Sequence, residues 1–231
     1  MPYFFATEHS GELVFIRGED ARHLAGPLRA RAGELIEVVE PEGLLLSVRI
    51  VSVSSREVSG RVEASRPHRP EPGSELWLAI AMLPAAGLEH TLSRCTELGV
   101  AGFRLVQAER SVARGAKPAR WGTICREAAM LAGRTRIPIV EGPMSLREAF
   151  DPATAWLLTR DAPRRLFELA SSSAPGGGSP TTLAVGPEGG WTDAEVGLAG
   201  ERLAGLGPRN LRADTAALAA AATWFAARGD L

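Results

Sequence analysis

Residues 181–195 read TTLAVGPEGGWTDAE, and this stretch decides how the second half of the chain folds. An apolar strand leads into the glycine-rich turn Gly186–Gly190, and Thr192 followed by Glu195 has the spacing of a capping box at the start of a helix. A turn between a strand and a helix lies at the carboxyl edge of a sheet, where α/β proteins bind ligands. Glycines let the backbone approach a ligand closely, whereas Glu188 would repel a phosphate. The turn therefore suits a ligand with hydroxyls or positive charge, or it is a tight turn without a ligand.

The chain from residue 75 onward alternates between short apolar segments and helical patterns, which predicts a parallel sheet with crossover helices. The predicted strands are Leu76–Met82, Phe103–Val106, Ile137–Val140, Ala155–Thr159 and Thr181–Val185. Two helix faces follow the helical period, formed by Leu88, Leu92 and Cys95 and by Trp121, Ile124, Ala128 and Leu131. Further expected features are a capping box at Ser145 and Glu148, a flexible surface loop over residues 171–180, and a last helix over Ala213–Ala227.

The first 70 residues are predicted to be mostly β, because segments rich in Val, Ile and Leu alternate with turns. The predicted strands are Glu12–Arg17, Leu35–Val39, Leu44–Val53 and Val58–Ala64. A helix that begins near Gly18 is expected between the first two strands. Residues 65–73 (SRPHRPEPG) contain prolines that exclude both a helix and a central strand. We therefore expect two domains, residues 1–70 and residues 71–231.

Composition and charge are those of an ordinary globular protein. The chain has 231 residues, of which 45% are hydrophobic, and a net charge of −1. No apolar run approaches the ~20 residues that span a bilayer, and the start MPYFFATEHS lacks the regions of a signal peptide. Two cysteines cannot form a disulfide framework and indicate a reducing compartment. We therefore expect a cytoplasmic protein with no membrane partner.

The distribution of charge indicates more about partners than the net charge does. Residues 104–136 carry eight basic side chains and two acidic ones, so one face could neutralise several phosphates of a nucleic acid. The alternative is a solvated helix surface. The sequence contains no P-loop, no dinucleotide-binding glycine pattern and no nucleophile elbow. The four histidines and two cysteines lack metal-ligand spacing, so no metal site is expected.

A second unusual segment, Leu206–Ala216, reads LGPRNLRADTA. It combines a Gly-Pro turn with Arg212 and with the pair Asp214-Thr215, either of which could cap the helix that follows. Arg212 could equally be a structural arginine that fastens the turn. Taken alone, this segment identifies no activity.

Together, GPEGG and the later pattern LG-x-x-x-LR-x-[ED]-TA resemble the SPOUT-class methyltransferases. More closely, the chain resembles the RsmE-type family, which methylates uridine N3 in small-subunit ribosomal RNA. The resemblance covers essentially the whole chain. The other matching landmarks are TELGV at 96–100, ERS at 109–111, Trp121 with Glu127-Ala128-Ala129, Gly133-Arg134 before Pro138, and Phe4-Phe5, His23-Leu24, Leu28-Arg29 and Gly33.

The resemblance implies an α/β domain knotted as a deep trefoil around a parallel sheet, preceded by a PUA-like β-barrel that binds RNA. It implies a homodimer through the knotted domain, with ribosomal RNA or the small ribosomal subunit as the substrate. It also implies S-adenosyl-L-methionine as the cofactor, bound by the knotted loops. The cofactor-binding residues expected on this basis are Thr159, Gly186, Glu188, Gly189, Gly190, Leu206, Gly207, Leu211, Arg212 and Thr215.

The implied reaction must remove a proton from uridine N3, which calls for a base or for stabilisation of the uridine anion. Arg134 is the expected catalytic residue, because a guanidinium is always charged and can face an oxyanion. The alternative is a structural arginine paired with Glu127. The expected RNA-binding residues are Arg29, Arg110, Arg114 and Arg136.

Three positions depart from the family pattern, and the cofactor loops keep that pattern better than the substrate side does. Met130-Leu131-Ala132 stands where the family usually has a polar Glu-Gln pair and a serine, Ala86 stands for a lysine, and Asp214 stands for a glutamate. Two alternatives therefore remain: an RNA-binding homologue with lost or changed catalysis, and a methyltransferase for a different RNA.

Overall fold

The computed structural model describes residues 3–172 and 179–231. The chain divides into two compact units, one formed by residues 1–71 with 129–136 and the other by residues 72–128 with 137–231. The chain passes from the first unit to the second within the proline-rich segment 65–73. The structure differs from the sequence analysis in that residues 129–136 belong to the first unit.

The first unit is a six-stranded sheet with one helix. Its strands are β1 (Phe4–Phe5), β2 (Glu8–Ser10), β3 (Leu13–Arg17), β4 (Leu35–Glu40), β5 (Leu44–Val53) and β6 (Glu57–Pro67), and α1 spans Glu19–Ala25. The strand order is β1-β4-β5-β6-β3-β2. The β1–β4 pair is parallel and the others are antiparallel. The predicted strands and the helix between the first two are confirmed, although β6 runs on to Pro67, which lies at the strand end where a missing N–H is tolerated.

One face of this sheet carries the core of the first unit, as expected for an antiparallel sheet that alternates buried and exposed positions. Val14, Ile16 and Ile50 are buried there together with Leu24 of α1. Met130 packs into the same core, and its carbonyl accepts a hydrogen bond from the amide of Tyr3 at 3.0 Å. The methionine that departs from the family pattern therefore has a packing role in this chain.

Glu71 fastens the returning segment 129–136 to the first unit. Its carboxylate accepts hydrogen bonds from the guanidinium of Arg134, with Nη2 at 2.6 Å from Oε2, and from the backbone N–H of Thr135 at 2.8 Å. The backbone N–H of Arg136 donates to the same carboxylate at 3.1 Å. The Arg134 side chain is only 4% exposed. The structural partner of Arg134 is thus Glu71, whereas the sequence analysis considered Glu127 for that role.

The second unit is built on a six-stranded parallel sheet with helices on both faces. Its strands are β7 (Leu76–Ala81), β8 (Gly102–Val106), β9 (Ile139–Met144), β10 (Ala155–Leu158), β11 (Thr181–Val185) and β12 (Leu203–Ala204), in the order β12-β10-β11-β7-β8-β9. Its helices are α2 (Ala85–Leu98), α3 (Pro118–Ala132), α4 (Leu146–Ala149), α5 (Leu166–Ser172), α6 (Asp193–Ala199) and α7 (Ala213–Arg228). The predicted α/β class with a parallel sheet is confirmed.

Two predictions in the second unit need correction. The strand expected over Ile137–Val140 runs over Ile139–Met144 and contains Pro143, which an edge strand such as β9 tolerates. Leu131 was expected on the buried face of α3 but is 66% exposed. The helix leaves the second unit after Ala128, so beyond that residue its buried positions are set by the core of the first unit.

The two faces of the parallel sheet carry separate cores. Leu76, Leu78 and Ile80 of β7 pack on one face with side chains of α2, α3, α5 and α7. The alternating residues Ala79 and Ala81 pack on the other face with side chains of α4 and α6. Small residues on the second face let the short helices approach the sheet closely.

Several other expectations concern single features. Both predicted capping boxes, Ser145 with Glu148 and Thr192 with Glu195, are confirmed. Cys95 and Cys125 are buried and form no disulfide, and burial raises the pKa of the Cys95 thiol. Within residues 3–172 and 179–231, no helix is long and apolar enough to cross a membrane and no cluster of metal-ligating side chains occurs. Of the loop expected over 171–180, the first two residues end α5, and 173–178 lie outside the described residues.

We expect Glu71→Ala to lower the free energy of unfolding by about 3 kcal/mol, because it removes the carboxylate that pairs with the buried Arg134 guanidinium and accepts from two backbone N–H groups. Urea unfolding of the whole chain measures this loss. Glu63→Ala is the matched control, since it removes a carboxylate that pairs with Arg49 on an exposed strand of the same unit, and it should cost much less because exposed ion pairs contribute little. Equal losses in the two variants would contradict the role given to Glu71.

Candidate functional site

A cavity of about 410 Å³ opens at the carboxyl edge of the parallel sheet in the second unit. Three segments line it: residues 158–161 after β10, residues 185–191 after β11, and residues 206–216 after β12. β10 lies between β11 and β12, so the ends of three neighbouring strands deliver their loops to one place. The position and the size are those of a small-molecule site in an α/β protein.

Most of the residues expected to bind a cofactor lie on this cavity. Those that line it are Thr159, Gly186, Glu188, Gly190, Leu206, Gly207 and Leu211. Gly189, Arg212 and Thr215 are not among the lining residues. The carbonyl of Gly189 accepts a hydrogen bond from Arg110, Arg212 is the exposed N-cap residue of α7, and Thr215 is exposed in the first turn of that helix. The GPEGG turn and the segment 206–216, which are about twenty residues apart in sequence, therefore meet at the cavity through their central residues.

The capping interpretation of Asp214 and Thr215 is wrong. α7 begins at Ala213, so both residues lie inside its first turn. Oδ1 of Asp214 accepts a hydrogen bond from the backbone N–H of Thr215 at 2.7 Å. Oδ2 of Asp214 lies 4.0 Å from the position that a Cβ on Gly87 would take. Asp214, which stands for the family's glutamate, thus lies close to Gly87, the neighbour of Ala86, which stands for the family's lysine. These two departures from the family pattern therefore concern one region.

The indole ring of Trp191 packs against Gly186 in the turn that follows β11. Its indole N–H donates to the carbonyl of Leu158 at the end of β10, at 3.2 Å. A Cβ on Gly186 would lie 3.0 Å from the indole ring, so only glycine fits there without displacing it. Trp191 was not predicted as a site residue, although its place immediately after the GPEGG turn was a usable signal.

The cavity carries charges of both signs. Arg110, Arg160 and Arg209 line it together with Asp161 and Glu188. Arg160 and Asp161 form an ion pair at 3.2 Å, and the hydrogen bond that Arg160 donates to the Asp161 carboxylate raises the pKa of Arg160. Apolar side chains such as Leu158, Leu206 and Leu211 complete the lining. A ligand that combines an apolar or aromatic part with both positive and negative groups fits this surface best. Apart from Glu188, none of these charged groups was expected at the cavity.

The residues expected to bind RNA have different surroundings. Arg29 and Arg136 are exposed in the first unit, and Arg29 has a left-handed backbone with φ of 50°. Arg114 is exposed in the second unit. Arg110 is held at the cavity instead, where its Nη1 donates to the carbonyl of Gly189 at 2.9 Å. Arg134, the expected catalytic residue, is buried in the first unit against Glu71.

Comparison with known proteins identifies the family. Residues 69–225 match the model of the RNA methyltransferase domain family. The chain is 31% identical to the ribosomal RNA small subunit methyltransferase E of Bacillus subtilis over 220 residues, covering 88% of this chain and 86% of that protein. It is 38% identical to the protein of that name from Synechocystis over 151 residues, covering 60% of this chain and 49% of that protein.

A solved structure agrees with the sequence relatives. The crystal structure of a ribosomal RNA small subunit methyltransferase E from Neisseria gonorrhoeae, bound to S-adenosyl methionine, superposes with a TM-score of 0.84 at 28% identity. The superposition covers 98% of this chain and 97% of that one. The chain belongs to the RNA methyltransferase domain family and, within it, to the ribosomal RNA small subunit methyltransferase E family.

Proposed function

We propose that the protein transfers a methyl group from S-adenosylmethionine to N3 of a uridine in 16S ribosomal RNA. One observation carries the proposal: the GPEGG turn and the segment after β12 line one cavity of suitable size and mixed charge. The Neisseria relative, which has the same fold, is bound to S-adenosyl methionine. The family shown by the comparisons consists of RNA methyltransferases.

The residues present fit this cofactor. Glu188 and Asp161 offer negative charge for a sulfonium and an ammonium group, and Arg160 and Arg209 offer positive charge for a carboxylate. Leu206 and Leu211 offer an apolar surface for a purine ring. When bound, the cofactor supplies an electrophilic methyl group. The chain's own contribution is to hold that group and the attacking nitrogen in line.

We also propose that Arg134 stabilises the uridine anion that forms when N3 loses its proton, because the guanidinium keeps its charge. Its pairing with Glu71 gives it a structural role as well. The two roles are separable, since a variant at Glu71 loosens the ion pair while the guanidinium stays in place.

The family also implies a trefoil knot in the second unit. The backbone around β12 supports it. The carbonyl of Ala204 accepts a hydrogen bond from Thr159, and Gly205 bonds to both Arg164 and Leu166. The loop 159–166 therefore contacts residues 204–205 at both of its ends, as a loop through which the later chain passes would do.

The remaining family features are part of the same proposal. We propose that the first unit is a PUA-like RNA-binding domain, for which its six-stranded, mostly antiparallel sheet and the exposed Arg29 and Arg136 are the support. We further propose a homodimer through the second unit and a cytoplasmic location, where ribosomal RNA is found. Arg114 and the rest of the basic segment 104–136 would add RNA contacts from the second unit.

A second candidate function is RNA binding without methyl transfer. The observation that favours it is the exposure of Leu131 and Ala132 where the family usually has polar residues, which leaves fewer hydrogen-bonding groups for a target base. Incubation with labelled S-adenosylmethionine and small ribosomal subunits that lack the modification separates the two. We expect label on the 16S RNA, and intact RNA binding without label would favour the second candidate.

We expect Gly186→Ala to weaken S-adenosylmethionine binding about tenfold, because the added methyl group displaces Trp191 beneath the turn. Isothermal calorimetry measures the affinity. Gly197→Ala is the matched control: Gly197 lies in α6 with open space around it, so the affinity should not change. A control variant that loses affinity equally would show that the effect does not come from the turn.

We expect Arg134→Ala to reduce methyl transfer at least about 100-fold, a usual cost of removing one group that stabilises a developing negative charge. Its affinity for S-adenosylmethionine should stay nearly unchanged. Glu71→Gln provides the comparison, because it weakens the ion pair but keeps the guanidinium. If Glu71→Gln lowers kcat as much as Arg134→Ala does, Arg134 acts through the fold and not on the substrate.

A further inference from the structure

Glu195 connects two segments of the second unit through a single carboxylate. Oε2 accepts hydrogen bonds from the backbone N–H and the hydroxyl of Thr192, which closes the capping box of α6. Oε1 accepts a hydrogen bond from the backbone N–H of Glu109 at 3.0 Å, 86 residues away in sequence. Glu195 is only 9% exposed, so water replaces these bonds poorly if they break.

Arg110, the residue after Glu109, makes the reverse connection, from its side chain to the backbone of residues 189–191. Nη1 of Arg110 donates to the carbonyl of Gly189 at 2.9 Å and to the carbonyl of Trp191 at 3.3 Å. A side chain of the cofactor turn region thus holds the backbone at residue 109, and a side chain at residue 110 holds the backbone of the turn. The carboxylate of Glu195 and the guanidinium of Arg110 thus connect residues 109–110 with residues 189–195 in both directions, and we call this set of hydrogen bonds the joint.

The helix cap alone does not require this second connection. α4 has the same capping box, in which Oε2 of Glu148 accepts from both the N–H and the hydroxyl of Ser145. The hydrogen bonds that Glu148 accepts from Ser145 are local to α4, and they hold its carboxylate pKa below its usual range. Glu195 therefore performs a task beyond capping, and the chain contains its own comparison for that task.

The joint lies between two functional surfaces. On one side is the turn 186–191, which lines the cofactor cavity. On the other side is the exposed segment 109–117, which carries Arg114 and Lys117. The side-chain amide of Gln107 donates to the carbonyl of Ala113 at 3.2 Å, so the segment has an ordered base from which it extends.

We propose that Glu195 and Arg110 are positioning residues that couple RNA binding on segment 109–117 to cofactor binding at the turn 186–191. This proposal rests on the proposed function, since it takes RNA and S-adenosylmethionine as the two ligands. Arg110 then acts on the cofactor turn by donating hydrogen bonds to the carbonyls of Gly189 and Trp191. Phosphate binding is not the main role of Arg110. Because coupling between two sites is reciprocal, RNA on the segment tightens cofactor binding by the same factor that the cofactor tightens RNA binding.

The first test compares Glu195→Ala with Glu148→Ala. Both remove a capping-box carboxylate, and Glu195→Ala should lower the melting temperature more, because it also removes the acceptor of the Glu109 N–H. We expect Glu195→Ala alone to weaken S-adenosylmethionine binding about tenfold in the absence of RNA. Hydrogen exchange of the peptide that covers residues 107–113 should speed up in Glu195→Ala and stay unchanged in Glu148→Ala. Equal cofactor affinities and equal exchange in the two variants would overturn the proposal.

The second test concerns Arg110. Arg110→Ala should weaken S-adenosylmethionine binding without RNA present, which loss of a phosphate contact would not do. Arg94→Ala is the control, since Arg94 is an exposed arginine of α2 that pairs with Glu97, and its removal should leave the cofactor affinity unchanged. The double variant Arg110→Ala with Glu195→Ala should bind S-adenosylmethionine at most about twofold more weakly than whichever single variant binds it more weakly. The reason is that the effects of residues that act as a unit do not add. Full additivity would overturn the proposal.

The third test measures the coupling with an unmodified 16S RNA transcript. We expect the transcript to tighten S-adenosylmethionine binding to the wild-type protein several-fold and to have no effect on its binding to Glu195→Ala. An equal effect of RNA on both proteins would overturn the proposal. A wild-type protein that binds no S-adenosylmethionine would overturn the proposed function, and hydrogen exchange at residues 107–113 would still decide whether Glu195 holds the joint.

Discussion

Parallel pairing of β10 with both β11 and β12 is the constraint on which the candidate site depends. β12 is only two residues long, and the two ends of loop 159–166 form hydrogen bonds with its residue Ala204 and with Gly205 directly after it. This pairing brings residues 206–211 against the GPEGG turn. Without it, the sheet would still have a hydrophobic core on each face, but the cavity would lack one wall.

Local sequence signals predicted the local features well. A capping box depends on residues three positions apart, so Ser145 with Glu148 and Thr192 with Glu195 were identified from sequence and are confirmed. Parallel strands buried on both faces are continuous apolar runs, and for that reason β7 and β11 were placed within a residue or two. Seven of the ten residues that the family resemblance implied for cofactor binding also line the cavity.

Features that depend on distant residues were missed, because no local pattern carries them. Nothing near Arg134 indicates that its partner is Glu71, 63 residues earlier. The helical period placed Leu131 on a buried face, but α3 spans two units and its buried side is set by different cores before and after residue 128. The hydrogen bonds that Arg110 donates to the carbonyls of Gly189 and Trp191, about 80 residues later, were likewise not predictable from its charge, which alone suggested an RNA contact.

The return of residues 129–136 to the first unit has a consequence for how this protein can be divided. The chain crosses between the units three times and not once, so cutting at the proline-rich segment yields no independent halves. A fragment that begins at residue 72 would expose the Met130 side chain and leave Arg134 without Glu71. A fragment that ends at residue 71 would lack the methionine that completes its interior. Evolutionary shuffling of either half as a separate module is therefore disfavoured, and the two units are expected to be inherited together.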